Sequence, residues 1–195
     1  MRKTSEKEHP DSPAVPREFL QENSQKIYDF AYYLLSEPEA VEEVVIRTFR
    51  QFGNHYKKMT PATLNSWSEM EMRILLFSIA WDRIQREMGS VAVRWVSGRD
   101  MRVQKMAEED LLKANPKEGG DQFRDAVIAR FSKVDMDFRA PVVLRDLLEF
   151  PDEETMRILK LRWGVYRHRL HRGRLELCEG LRGKPYAFKP AEVRS

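Results

Sequence analysis

KLRWGVYRHRLHRGR, residues Lys160 to Arg174, decides how the rest of the chain is read. It carries six Lys or Arg in fifteen residues, two of the chain's four His, and no Asp or Glu. The whole chain has 195 residues and a net charge of only +3, so this basicity is concentrated. Tyr166, Leu170 and Leu177, with Gly173 between them, recur at helical spacing and form an apolar stripe. Arg167, His168, Arg169, His171, Arg172 and Arg174 occupy the other faces. A short segment precedes it, with Asp152, Glu153 and Glu154 in a helix first turn, where negative charge suits the dipole. Met156, Leu159 and Leu161 are its inner residues. A short acidic helix, a turn and a basic helix together predict a helix-turn-helix that presents its second helix to DNA.

Outward from that motif the same periodicity continues. Phe123, Ala126, Val127, Phe131 and Val134 predict one helix. Pro141 falls in the first turns of the next, which carries Val142, Val143, Leu144, Leu147 and Leu148 and stops at Phe150-Pro151. Further back, NPKEGGDQ (residues 115–122) has the Pro and Gly content of a linker. The amino-terminal half repeats the helical pattern three times. Ile27, Phe30, Ala31, Leu34 and Leu35 make the first stripe, closed by Ser36-Glu37-Pro38. Val41, Val44, Val45, Thr48, Phe49 and Phe52 make the second. Met72, Leu75, Leu76, Ile79, Ala80 and Ile84 make the third, which is expected to start near Thr63 or Ser66 and end near Met88, before Gly89-Ser90.

The chain is therefore expected to be all-α, with two small helical domains joined by a linker and a helix-turn-helix in the second. The boundaries read as a disordered tail over 1–18, a helical domain over 19–90, a linker over 91–122, the helix-turn-helix domain over 123–183 and a tail over 184–195.

Composition narrows the function. No apolar run approaches the roughly 20 residues of a membrane span, and MRKTSEKEHP lacks the apolar stretch of a secretion signal. A cytoplasmic protein with no membrane partner is expected. The single Cys178 excludes an internal disulfide, and no Cys/His spacing suits zinc. No carboxylate pair, Ser-His-Asp set or phosphate loop stands out, so neither an enzyme nor a cofactor or metal is expected. Trp67, Trp81, Trp95 and Trp163 are assigned to the core or its rim.

The segment FRAPVVLRDLLEFPDEETMRILKLRWGVYRHRLHRGRLEL resembles the promoter −35-binding domain of extracytoplasmic-function sigma factors of the sigma-70 family. The resemblance is carried by LRD at 144–146, the acid pair at 153 and 154, Gly164 and RLHRGR at 169–174. IYDFAYYLLSEPEAVEEVVIRTF (27–49) and MRILLFSIAWDRIQRE (72–87), with Asp82 and Arg86, are similar to the family's other domain. That resemblance implies a transcription initiation factor whose partners are promoter DNA, core RNA polymerase and an anti-sigma factor. It implies DNA contacts for Arg167, His168, Arg169 and Arg172, with Arg162 and Arg174 on phosphates. It also implies a polymerase-binding patch of Glu39, Glu42, Glu43 and Ile46. The chain departs from the family pattern at Ile46, Arg47, Phe77, Ser78, Met156 and Lys160, where Gln, an acid, a basic residue, Asn, a small residue and Gly are usual. These departures keep two alternatives in view: a sigma-derived DNA-binding regulator without productive polymerase binding, and a protein-interaction module. Lys160 stands where the turn calls for a left-handed residue, a conformation that costs a side chain-bearing residue about 1–2 kcal/mol.

Overall fold

The computed structural model describes residues 15–96, 131 and 133–182. Every regular element among them is helical. Helix α1 (Arg17–Leu35), α2 (Pro38–Lys57), the short α3 (Pro61–Ser66) and the long α4 (Glu69–Val96) form a first unit. Helix α5 (Met136–Val142), a π-helical turn (Val143–Leu147), α6 (Asp152–Leu159) and α7 (Trp163–Arg182) form a second.

Local chemistry sets the ends. Ser36 takes φ 63° and donates its backbone N–H to the Tyr32 carbonyl, closing α1. Pro38 opens α2, where its missing N–H has no helical partner to lose. Thr60 caps α3 by accepting from Thr63 N–H at 3.2 Å. Ser68 and Glu71 form a capping box at the start of α4. Glu71 Oε2 accepts from Ser68 N–H at 2.8 Å, and Ser68 Oγ accepts from Glu71 N–H at 3.3 Å. Bonds from Ser68 N–H and the Ser68 hydroxyl to Glu71 Oε2 hold the carboxyl below its usual pKa.

The predicted stripes of the first unit face inward. Ile27, Phe30, Ala31, Leu34, Val41, Val44, Phe52, Leu76, Ile79, Ala80 and Ile84 are all buried. Rings dominate the interior: Phe30 lies between Phe77 and Trp81, and Phe19 stacks on Phe52. The first unit's third stripe divides differently from expectation. A separate short helix covers 61–66, and α4 begins only at Glu69. Its far end also differs, because α4 runs through Gly89-Ser90 to Val96. One Gly costs a helix interior only about 1 kcal/mol relative to Ala, which an established helix of this length absorbs. The expected linker beyond 96 and the helix expected from Phe123 fall largely outside the described residues.

In the second unit, Asp135 caps α5 by accepting from Asp137 N–H at 2.8 Å. Pro141 sits near the end of α5 rather than in the first turns of a longer helix. The chain then widens into the π turn, with Leu148 N–H donating to the Val143 carbonyl at 2.9 Å. Widening shifts the helical phase, so Leu147, expected to be inward, is 41% exposed, while Val143 and Leu144 are buried.

The two units share one apolar core along α4 and α6. Phe77 meets Phe150 edge-on at 4.6 Å between ring centres, which gives the apolar residue at 77 a packing role. Glu154, 3% exposed, receives two bonds from Arg73, Nε at 2.8 Å and Nη2 at 2.7 Å. Donating these bonds to the Glu154 carboxylate raises the Arg73 pKa. Arg139 is buried and bridges the units by donating to the Phe131 carbonyl at 2.9 Å and the Leu34 carbonyl at 3.0 Å. Burial lowers its pKa to about 10, against a smaller opposing pull from Asp135.

Candidate nucleic-acid interface

The segment predicted to be a helix-turn-helix is α6, a three-residue turn and α7. Lys160 ends α6 at φ 56°, ψ 40°, the left-handed region predicted for this position. Lys160 N–H bonds to the Arg157 carbonyl at 3.3 Å, and Leu161 N–H to the Met156 carbonyl at 2.9 Å. That pair of bonds is the Schellman closure, normally built on Gly. Here the side chain has an additional partner: Lys160 Nζ reaches both Asp82 carboxylate oxygens in α4, at 2.8 and 2.9 Å. The turn is thereby tied to the first unit.

Four residues fix the roll of α7. Tyr166 is fully buried, Leu170 is buried, and Leu177 is half-buried. The Tyr166 hydroxyl donates to Asp152 Oδ1 at 2.7 Å, and Arg145 Nε approaches the same oxygen at 2.7 Å. Burial first, and the bond to Asp152 second, push the Tyr166 pKa up. Gly173 lets α7 cross α5 closely. A Cβ there would collide with the Phe138 carbonyl oxygen and lie 2.8 Å from Val142 Cγ2.

With the roll fixed, the sequence-predicted DNA residues separate into two groups. Arg162, Arg167 and His168 are exposed, and no acid pairs with them among the described residues. The Arg167 guanidinium lies over the Trp163 ring, 5.7 Å from its centre. His168 meets Phe138 edge-on. The other three are committed within the fold. Arg169 pairs with Asp137 at 2.6 Å, Arg172 with Glu176 at 2.7 Å, and Arg174 with both Asp146 oxygens at 2.8 and 2.6 Å. Its bonds to the Asp146 carboxylate raise the Arg174 pKa. Arg172 and Arg174 remain about half exposed, so their outer N–H groups still face solvent.

An open groove runs along this side of α7, lined by Trp163, Gly164, Arg167, His168, His171 and Arg174 among others. Trp163 and His171 were not among the predicted site residues. Trp163, assigned to the core or rim, is instead 52% exposed. It stands at the first position of α7, four residues before Arg167 on the same face. That spacing was available in the sequence. Trp81 is buried as expected, Trp67 is half-buried, and the side chain of Trp95 lies outside the described residues.

The patch on α2 is separate. Glu39, Glu42, Glu43 and Ile46 all face solvent along one side of the helix. Ile46 is 57% exposed, the most exposed large apolar residue among those described. Arg47 forms an ion pair with Glu43. Behind this stripe, Arg47, Arg50, Gln51, Asn54 and Arg83 line a shallow cleft, with Arg83 held by two bonds to Gln51 Oε1 at 3.1 and 2.7 Å. Among the described residues no group of three His, Cys, Asp or Glu is placed to hold a metal, and no helix is long and apolar enough to cross a membrane.

The fold defined by these helices is sigma-factor-like. The chain is similar to the solved structure of the sigma factor RpoE in complex with the anti-sigma factor NepR from Bartonella quintana, with a TM-score of 0.62 and 19% sequence identity. The similarity covers 86% of this chain and 98% of that one. No protein-family model matches the chain, and no curated protein matches it.

Proposed function

We propose that this chain is a sigma-like, cytoplasmic transcription initiation factor that docks on core RNA polymerase and recognises promoter DNA through α7. The observation that carries this reading is the basic face of Arg167 and His168 on α7, with Arg162 in the turn before it, none of them paired with an acid among the described residues, on a helix whose roll is set by Tyr166 and Gly173 within a sigma-factor-like fold. The major groove of DNA admits such a helix, and Arg can bond guanine O6 and N7 there. Arg162, Arg172 and Arg174, at the flanks, suit phosphates. Arg169, with only a quarter of its side chain exposed beside Asp137, acts chiefly by holding α7 to α5.

Polymerase binding is assigned to Glu39, Glu42, Glu43 and Ile46. Their common exposed stripe, with an apolar centre and an acidic surround, suits a basic partner with an apolar contact. An anti-sigma factor is a third partner, supported by the complex in which the similar RpoE was solved. The Arg47–Glu43 pair favours one second reading, a DNA-binding regulator without productive polymerase binding, because it neutralises part of the acidic patch.

Run-off transcription with core polymerase separates the two. Specific transcripts from duplexes enriched by binding support the initiation factor; DNA binding without polymerase capture or transcript supports the regulator. Arg167→Ala combined with Arg172→Ala is expected to weaken binding to DNA and to relax the preference for the enriched sequences, because Arg167 is placed on a base and Arg172 on a phosphate. The slope of log affinity against log salt should fall by about 1 for the phosphate contact, with the thermal melt unchanged. Unaltered DNA affinity in that variant sinks the placement of α7 on DNA.

A further inference from the structure

We propose that Trp163 is a base-reading residue, which packs its indole against a thymine methyl while aiming Arg167 at a neighbouring guanine. This inference rests on the reading that α7 enters DNA and adds to it a specificity-determining residue.

The argument begins with burial. A Trp contributes a large apolar area and is ordinarily recruited to a core or an interface. Among the described residues Trp163 fills neither role. It is half exposed, and its ring contacts among the described residues are the Tyr166 ring, tilted by 38° with 6.0 Å between centres, and the Arg167 guanidinium. Its position matters more than its exposure. In an inserted recognition helix the amino-terminal residues reach base edges, while residues farther along reach the backbone. Trp163 is the first residue of α7, and the turn before it is anchored by Lys160 to α4.

The neighbours complete the reader. Gly164 shares the groove with Trp163, and a Cβ built on Gly164 would meet nothing within 4 Å. A base edge can therefore approach beside the indole without a side chain in the way. Arg167 follows on the same face, over the ring. A guanidinium stacked in this way keeps its fork of N–H groups in a restricted set of orientations, so less freedom is lost when it binds. In the major groove the two chemistries have distinct targets. The thymine C5-methyl takes an apolar contact, and guanine O6 and N7 take a bidentate Arg. A ring-guanidinium pair suits a step that places thymine and guanine side by side.

The test uses duplexes enriched by the wild-type chain from a random-sequence pool, with the unenriched pool as reference. Trp163→Ala is expected to lose about tenfold in affinity for the enriched duplexes, the size of one lost base contact, and less than twofold for the pool. Replacing thymine by uracil in the enriched duplexes should weaken the wild type by about threefold to fourfold, the worth of one methyl, and leave Trp163→Ala unchanged. Trp163→Phe keeps an aromatic face and is expected to retain most of the preference. It also carries the test if the alanine variant melts early. Three results overturn the proposal: equal losses on enriched and unenriched DNA, no loss on either, or indifference of the wild type to uracil. Failure of the wild type to bind any duplex in a salt-dependent way removes the DNA reading as a whole. Enrichment with an unaffected Trp163→Ala removes this inference alone.

Discussion

The two units of this chain are held together by different physics. The first is an aromatic bundle in which Phe19, Phe30, Phe52, Phe77 and Trp81 pack ring against ring among long helices. The second sets shorter helices against the 20-residue α7 and has a smaller set of buried residues. It depends on fixed geometry: a glycine crossing, a left-handed lysine, a π turn and a set of ion pairs including Arg169–Asp137, Arg174–Asp146 and Arg145–Asp152. Small units cannot gather much apolar area, so orientation there is set by position-specific contacts. The lesson concerns function as well as stability. On the proposed reading of α7 as a recognition helix, it must present one face to its target, and α7 is held in roll by contacts that tolerate little substitution.

Four substitutions sharpen or break this contrast. Phe30→Ala removes the ring between Phe77 and Trp81 and is expected to cost about 3–5 kcal/mol in a denaturant melt. A loss below 1 kcal/mol would mean the first unit is not organised around its rings. Gly173→Val should cost about 1–3 kcal/mol by overpacking and, unlike Phe30→Ala in its direct effect, should re-aim α7. Chemical shifts of Tyr166 and Asp152 would report the movement, and unchanged shifts would contradict the close crossing.

Lys160→Gly has a smaller effect with an informative sign. It relieves about 1–2 kcal/mol of left-handed strain and removes an exposed pair to Asp82 worth under about 1 kcal/mol. The variant should therefore melt at or slightly above the wild type in low salt. Its advantage should grow at high salt, where the lost pair would have been screened. An advantage that shrinks with salt would refute the assignment. The smallest effect belongs to Glu71→Gln. The folded-state pKa of Glu71 is lowered, so its contribution is complete above the ordinary carboxylate pKa of 4.5 and disappears as pH falls through the folded value. Wild type and variant should thus differ in melting temperature at neutral pH and converge in acid. A gap that persists in acid would assign the effect to something other than the charge.

Much of this architecture was legible in the chain itself. Helical period placed α1, α2, the body of α4 and the stripe of Tyr166, Leu170 and Leu177, because burial in a helix repeats every three or four residues. Lys160 could be identified as left-handed because it stands where the family it resembles usually has Gly. The capping box at Ser68 and Glu71 has a recognisable S-x-x-E spelling, but it sits in a polar stretch where the apolar stripe gives no guide to the helix start. Other features have no local signature. The Arg73–Glu154 clasp joins residues 81 apart. Glu154 looks like an ordinary first-turn acid, and only tertiary packing makes it a buried partner. The π turn came from a one-residue change of phase after Pro141, which periodicity reads as a continuous helix. Within the basic helix, sequence could count the cations but not assign them. Asp137, Asp146 and Glu176 decide which arginines are engaged at home, and two of those acids lie outside the motif.

Arg139 also bears on how the chain is made. Its guanidinium bonds to the Leu34 carbonyl, at the last turn of α1, across 105 residues of sequence. At about 5–20 residues per second, a ribosome needs roughly 5–20 s to make that stretch. During that interval the nascent first unit has an open helix end and an uncovered Phe77. The newborn protein therefore passes through a window in which its own second half is the missing cover, and chaperone occupancy should peak there and end only once Phe150 and α6 have emerged to cover Phe77.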